Sequence, residues 1–238
     1  MRKLCQTLFT ALALFAAAGA YGQVSLGLNY VHNTALKSFK ENVNRNPVGF
    51  GIAALVPINN SRFSVGGELG IAMYANETYI QELSDQGFEG ALSEVYEENC
   101  FVSYSVFGRL NLIDHAFITP YLEGRMGAIS FFTDKIFDEP YSNDPNAYVP
   151  DHVEPETQFH GTSFQLGGGW GLQFDLQKFS KYDFPLSIDF GMNYLLGSSA
   201  QYRNVSRERE NITTDSEHYY KSTTNNVTYR IGFAYRFY

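Results

Sequence analysis

Strict alternation of bulky apolar residues with small or polar ones constrains this sequence more than any other feature. The last stretch, Val227 to Tyr238, has an apolar residue at every second position up to Phe237. The residues between them are Thr228, Arg230, Gly232, Ala234 and Arg236. A period of two places the two sets on opposite faces of a β-strand. The same pattern recurs along the chain, and the polar face is always the one with small residues.

Eight such segments predict eight β-strands, at about residues 24–31, 48–56, 63–73, 102–112, 121–128, 164–174, 186–196 and 227–238. Long loops are predicted at 32–46, 75–99, 133–158 and 197–222, and short turns near 57–62, 114–115 and 178–183. Long and short connections therefore alternate along the chain. Membrane barrels have short periplasmic turns and long extracellular loops. The pattern predicts an all-β, eight-stranded, antiparallel up-and-down transmembrane β-barrel.

Charged residues within the predicted strands all fall on the glycine-rich face. They are Glu68, Arg109, Glu123, Arg125, Asp189, Arg230 and Arg236. An unpaired buried charge is costly, whereas opposite charges that hydrogen-bond to each other are tolerated. We therefore expect a charge network inside the barrel and lipid against the bulky face. Eight strands leave no open lumen, which predicts a plugged interior. A lipocalin would have the reverse polarity, with its apolar face inside.

Aromatic residues on the bulky face predict two bands at the membrane interfaces, where aromatic rings are favoured. The outer band comprises Tyr30, Phe50, Tyr104, Phe164, Tyr194 and Tyr229. The inner band comprises Phe63, Phe174 and Phe237.

The first 22 residues predict a secretory signal peptide, because Arg2 and Lys3 precede a short apolar run and a small-residue cleavage site before Gln23. The expected organisation is a signal peptide at 1–22 and an outer-membrane barrel at 23–238. Cys5 would be removed with the signal, so Cys100 would remain alone and no internal disulfide is expected.

The charge balance is acidic, with 17 basic against 25 acidic residues and a net charge of −8. Removal of Arg2 and Lys3 makes the mature chain more acidic still. Nucleic acid is therefore not an expected partner, because no basic stripe is present to neutralise phosphates.

These features together resemble the small OmpA/OmpX-like outer-membrane barrel family. The resemblance rests on the signal peptide, the alternating strands, the aromatic final strand and the segment PYLEGRMG at 120–127, and it covers residues 23–238. It implies a place in the bacterial outer membrane, contact with outer-membrane lipid and lipopolysaccharide, and insertion by the barrel-assembly machinery. It also implies that the last strand carries an assembly signal, formed by Tyr229, Ile231, Phe233, Tyr235 and Phe237.

No catalytic, cofactor-binding or metal site is predicted, and we expect no enzyme. The five histidines lack the spacing of metal ligands. Some barrels similar to this one carry a histidine and a serine that modify lipid A, which draws attention to His160 and Ser163. Because these two are three residues apart on a strand, they are expected to point to opposite faces.

The favoured function is a plugged, non-enzymatic barrel that anchors four exposed loops for envelope integrity or surface binding. Loops 75–99, 133–158 and 197–222 are the candidates for contact with a surface ligand. The first two are rich in acidic residues, which could hold divalent cations but more often form a solvated surface. A lipid A-modifying enzyme and a small pore are the alternatives.

Overall fold

A computed structural model of the protein describes residues 24–43, 45–58, 61–113, 116–145, 147–178, 185–206 and 219–237. The predicted signal peptide, the predicted turn at 114–115 and most of the one at 178–183 lie outside these residues. The barrel strands are β1 (Val24–Ala35), β2 (Val48–Pro57), β3 (Phe63–Glu82), β4 (Leu92–Asn111), β5 (Ile118–Phe137), β6 (Glu156–Asp175), β7 (Leu186–Gly197) and β10 (Asn226–Phe237).

The remaining elements are short and lie between barrel strands. Helix α1 (Lys37–Asn42) follows β1, and a hairpin of β8 (Ser199–Arg203) and β9 (Tyr219–Thr223) separates β7 from β10. Two 3-10 turns span Leu83–Gln86 and Leu176–Lys178. None of the helices within the described ranges is long and apolar enough to cross a membrane.

The eight barrel strands close on one another in the order β1-β10-β7-β6-β5-β4-β3-β2. Every neighbouring pair is antiparallel, and closure comes from β1 and β10, which pair along their full length from Val24 with Phe237 to Ala35 with Asn226. A closed sheet leaves no unpaired edge within the membrane, which a spanning β-structure requires. The predicted eight-stranded antiparallel barrel is confirmed.

Bulky residues of the alternating strands point outward, and small or polar ones point inward. Phe50 is 60% exposed, and Met126 and Phe233 are similarly exposed, whereas Asn29 and Asn193 are buried inside. A contiguous exposed apolar belt around a protein is unstable in water. The belt therefore contacts hydrocarbon, and the barrel spans a membrane.

Strand register places the aromatic residues at common levels. Tyr104 and Phe164 flank Ala128 from its two sides, and Tyr30 pairs with Phe50 at 5.9 Å between ring centroids. At the opposite end, the Phe174 ring lies 6.1 Å from that of Phe117. These positions agree with the predicted outer band for Tyr30, Phe50, Tyr104 and Phe164, and with the predicted inner band for Phe174.

Four strands are much longer than predicted. β3 to β6 have 20 residues each, against 10 to 12 for the other barrel strands. The predicted loops at 75–99 and 133–158 are therefore wrong in large part, because only residues 83–91 and 138–155 connect the strands. The extra length extends beyond the outer aromatic band. We call it the protruding sheet, comprising residues 75–82, 92–100, 131–137 and 156–162.

Two irregularities explain why alternation did not reveal this extension. The β3–β4 register shifts between Met73 and Ala75, and the β5–β6 register shifts between Ser130 and Phe132. A bulge changes which residues of a strand face inward. Above the lipid, moreover, neither face touches hydrocarbon, so bulky and small residues are no longer sorted between faces.

Candidate functional site

Midway through the barrel, Glu123 on β5 forms ion pairs with three buried arginines. Its carboxylate lies 3.2 Å from Arg109, 3.1 Å from Arg125 and 2.8 Å from Arg230. These four side chains come from three strands, β4, β5 and β10. The small inward residues of the neighbouring strands leave the space for them.

Two further acids complete this charge network. Glu68 lies 2.8 Å from Arg125 and 2.9 Å from Arg230, and Asp189 lies 2.8 Å from Arg109. Three carboxylates thus meet three guanidinium groups, and the network as a whole is neutral. Such pairing offsets much of the cost of removing these charges from water. The structure therefore brings together six of the seven residues predicted to form a charge network.

Three neutral side chains extend the network, and sequence reasoning did not assign them to it. Asn29 donates to Glu68 at 3.2 Å, the Tyr121 hydroxyl donates to Asp189 at 2.8 Å, and Asn193 donates to Glu123 at 3.3 Å. All three occupy inward positions in the alternation, which was the available signal. The Tyr121 hydroxyl provides a partner for Asp189 Oδ1, whereas the Glu68 and Glu123 oxygens that the two asparagines contact also accept hydrogen bonds from Arg230.

Close packing of β6 against β7 narrows the interior around this network. A Cβ atom on Gly167 or Gly169 would collide with the backbone oxygen of Tyr194 or Met192. Larger residues cannot occupy these positions without moving the neighbouring strand. Glycine is needed here for close approach rather than for backbone freedom.

Arg236 does not belong to the charge network, and that prediction was wrong. Its guanidinium lies 3.6 Å from Asp175, near the inner end of the barrel, and its side chain is 30% exposed. Lys178 approaches the same carboxylate at 3.7 Å. Alternation gave the correct face for Arg236, but it gave no information on depth along the barrel. Continuing the inward row of β6 to Asp175 would have identified the partner.

A second closure lies above the charge network, at the outer mouth. Five buried rings form what we call the aromatic plug: Phe39, Tyr74, Phe101, Phe131 and Tyr202. Phe131 and Tyr202 lie 5.0 Å apart between centroids, and Phe39 meets Tyr202 edge-to-face at 5.4 Å. Helix α1 and strand β8 therefore fold inward across the mouth and pack against β3, β4 and β5.

Polar contacts fasten the aromatic plug to the barrel wall. The Tyr74 hydroxyl donates to the Arg203 carbonyl at 2.8 Å, Arg203 is 3.3 Å from Glu97, and the Val205 amide donates to Asn99 at 2.7 Å. The predicted loop at 197–222 is therefore partly inside the mouth. Its residues 207–218 lie outside the described ranges.

Between the network and the plug is a cavity of about 40 Å³. Its lining combines apolar residues with polar ones, among them Asn33, Ser103, Gln165, Asn226 and Thr228. A space of this size holds about one or two water molecules.

The structure corrects the expected orientation of His160 and Ser163. The register shift of β5 against β6 near Ser130 changes the face to which His160 points, and its ring nitrogen lies 2.6 Å from the Thr133 hydroxyl. Thr133 is buried inside, so His160 faces the same side as Ser163. The Ser163 hydroxyl, however, contacts Ser198 and Thr224 rather than His160. No nucleophile–base pair is formed between the two.

Among the described residues, no group of three or more histidine, cysteine or acidic side chains is arranged to hold a metal ion. Cys100 is buried on β4, four residues beyond Tyr104 in the extracellular part. Burial, with the charges of Glu98 and Asp134, raises the pKa of its thiol to about 12. A thiol that stays protonated is a poor nucleophile.

The predicted assembly signal lies on the outward face of β10. Tyr229, Ile231, Phe233, Tyr235 and Phe237 are all exposed to the lipid side. Recognition of this row by the assembly machinery stays a prediction.

No family model matches the sequence, and no curated protein matches it. Among solved structures, the chain is similar to Ail, the attachment invasion locus protein of Yersinia pestis, at 14% identity and a TM-score of 0.46, over 91% of this chain and 99% of that one. It is similar to Neisserial surface protein A at 11% identity and a TM-score of 0.48, over 90% and 94%. A major outer membrane protein from Thermus thermophilus shows 12% identity and a TM-score of 0.41, over 90% and 99%.

Similarities at this level of identity carry no functional assignment. The location follows from the architecture itself, because a closed antiparallel barrel with an apolar belt, two aromatic bands and a polar interior is the structure of outer-membrane proteins. The protein is a small outer-membrane β-barrel.

Proposed function

We propose that the protein is a non-conducting, non-enzymatic barrel that holds the protruding sheet at the cell surface for binding and adhesion. One observation carries this proposal. Large apolar side chains stay exposed beyond the outer aromatic band, where the surroundings are aqueous: Ile80 at 62%, Ile136 at 48% and Phe159 at 69%. Clustered exposed apolar residues on a protein surface mark interaction sites.

The protruding sheet is suited to display because it continues the hydrogen-bonded barrel. Tyr104 lies in the outer band, and Tyr96, eight residues further along β4, pairs with Ile136 on β5. Eight residues of strand extend about 26 Å. A binding surface is thus presented well beyond the aromatic band on strands that the barrel fixes in place.

The closed interior supports display rather than conduction. The charge network and the aromatic plug obstruct the barrel at separate levels. In planar bilayers, the refolded protein is expected to give no steady current steps. Regular ohmic steps from the pure protein would contradict the non-conducting assignment.

The expectation of no enzymatic activity rests on the separation of Ser163 from a catalytic base. Lipid A from cells with and without the gene should have identical mass spectra. Loss of an acyl chain in producing cells would favour the enzyme instead.

Outer-membrane lipid, lipopolysaccharide and the assembly machinery are further proposed contacts, consistent with the apolar belt and the aromatic last strand.

The main test removes half of the protruding sheet. Asn76 and Glu98 pair directly across β3 and β4, so residues 77–97 can be replaced by an Asn-Gly hairpin turn. The trimmed barrel should still show heat-modifiable migration on gels, while adhesion of producing cells to protein-coated surfaces should be lost. A control replaces the exposed segment 143–145 in the β5–β6 loop by glycine and serine. Undiminished adhesion of the trimmed protein would refute the proposal.

A further inference from the structure

The outward face of the protruding sheet carries an apolar band. Tyr96 lies directly between Thr78 on β3 and Ile136 on β5, and Ile80 is its diagonal neighbour on β3. Residues at these cross-strand positions are close enough for their side chains to touch. Ile80, Tyr96 and Ile136 are all exposed. They form an apolar strip on three neighbouring strands, above the lipid, and the Tyr96 hydroxyl accepts a hydrogen bond from Asn76 at 3.4 Å.

Acidic residues lie on both sides of this band along the strands. Glu94 pairs with Ile80 on the outer side, and Glu98 pairs with Asp134 on the inner side. The positions of Glu94 and Glu98 are four residues apart on β4, about 13 Å along the strand, with Tyr96 between them. The surface therefore has the order acidic, apolar, acidic.

The inner acidic pair is unfavourable in the protein alone. Glu98 and Asp134 are directly opposite on adjacent strands, and like charges in that arrangement repel. One oxygen of Asp134 is buried without a hydrogen-bond partner among the described residues. Two cationic residues lie nearby. Arg45 donates a hydrogen bond to Asn76, the residue opposite Glu98 on β3, at 3.1 Å. Lys135 lies on the inward face of β5, away from the acidic pair. A cationic partner would relieve this repulsion.

We propose that this outward face binds a basic polypeptide segment in which an apolar side chain lies between cationic ones. The proposal rests on the proposed function, because it names the chemistry of the partner that the protruding sheet would bind. Charge complementarity selects the partner: the face offers carboxylates on both sides of an apolar strip. An apolar residue would pack on Ile80, Tyr96 and Ile136, while lysine or arginine residues about 13 Å apart would pair with Glu94 and Glu98.

The experiment uses the mature protein refolded in phosphatidylcholine nanodiscs, which carry no net charge to attract a basic peptide. The probe is a fluorescent peptide with tandem Lys-Ser-Leu-Ser-Lys units, whose lysines have the required spacing. Two control peptides replace leucine by serine or lysine by glutamate. Binding is measured by fluorescence anisotropy at two salt concentrations.

Two variants of the face are compared with one matched control. The first combines Glu94→Gln, Glu98→Gln and Asp134→Asn, and the second combines Ile80→Ser and Ile136→Ser. The control, Glu139→Gln with Asp151→Asn and Glu154→Gln, removes the same charge from exposed positions of the β5–β6 loop. Heat-modifiable migration verifies that each variant is folded.

We expect the leucine-containing basic peptide to bind the native protein about tenfold more tightly than either control peptide. Each face variant should weaken binding about tenfold, the control variant less than about twofold, and added salt should weaken it further. If either face variant binds the peptide as tightly as the control variant does, the proposal is overturned. Equal affinity for the serine peptide would also overturn it, as would binding that appears only with lipopolysaccharide and Ca²⁺ in the nanodiscs. If adhesion still requires residues 77–97 in those cases, the proposed function stands and only this inference fails.

Discussion

The same four strands obey different rules below and above the outer aromatic band. In the membrane, the exposed bulky apolar residues of β3 to β6 occupy the outward positions, and charged residues occupy only inward ones; Phe107 is a bulky residue buried inside. Above it, bulges at Met73/Ala75 and Ser130/Phe132 shift the phase, and apolar residues occur on both faces. Phe131 is buried in the plug while Ile136 is exposed. In this protein, alternation of bulky and small residues therefore indicates where a strand contacts lipid, and it does not indicate how far the strand extends.

The charge network and the aromatic plug both close the interior, but only the first is built entirely from the alternating barrel strands. The charge network consists of residues from barrel strands, placed by alternation and matched in charge. The aromatic plug depends on α1 and the β8–β9 hairpin, which reach the mouth from loops. We expect damage to the network to weaken the whole barrel and damage to the plug to loosen the mouth alone.

The largest effect is expected from Glu123→Gln. This change keeps the side-chain volume but leaves three buried arginines facing two carboxylates, and removing one partner of a buried ion network typically costs about 3–5 kcal/mol. Urea unfolding of the barrel in detergent micelles measures this loss. The exposed Glu154→Gln is the control and should leave the midpoint unchanged. Equal midpoints for the two variants would mean that the network does not stabilise the barrel.

A smaller and more local effect is expected from Phe131→Ala in the aromatic plug. Truncating a buried phenylalanine costs about 3 kcal/mol through lost packing and the cavity left behind. Amide hydrogen exchange should accelerate in α1 and β8, whereas amides around Glu123 should keep their protection. Uniform acceleration through the barrel would show that the two closures are not independent.

Paired glycine substitutions separate the inward and outward surfaces of the membrane-spanning part. Gly169→Ala would drive a methyl group into the backbone of β7 and should cost about 2 kcal/mol in the free energy of unfolding. Gly124→Ala meets no atom within 4 Å on the lipid side and should be tolerated. Urea midpoints provide the comparison. A larger loss for the Gly124 variant would reverse the assignment of faces.

The smallest effect is expected from Arg236→Gln. Its ion pair with Asp175 is partly exposed, and such pairs contribute less than about 1 kcal/mol. The urea midpoint should therefore remain close to that of the native protein. If Arg236→Gln lowered the free energy of unfolding as much as Glu123→Gln, Arg236 would have to be assigned to the charge network after all.

The sequence predicted the features that contact with lipid imposes on the strands, and few of the other features. Strand count, facing and the six network residues followed from alternation, because hydrocarbon excludes charge from one face. The extension of β3 and β4 was not predicted, because its many acidic residues are typical of a solvated loop. Two of them, Glu77 and Glu97, in fact pair across these strands. The roles of Tyr121 and Asn29 also require knowledge of register, since facing alone does not show which inward residues meet.

The most direct test of lipid contact uses Trp170, the only tryptophan in the chain. Its side chain lies on the outward face of β6 and is 52% exposed at a level between the aromatic bands. In bilayers containing lipids brominated on their acyl chains, its fluorescence should be strongly quenched, while water-soluble acrylamide should have little effect. Strong quenching by acrylamide and none by brominated lipid would contradict the account, because the bulky face would then be in water.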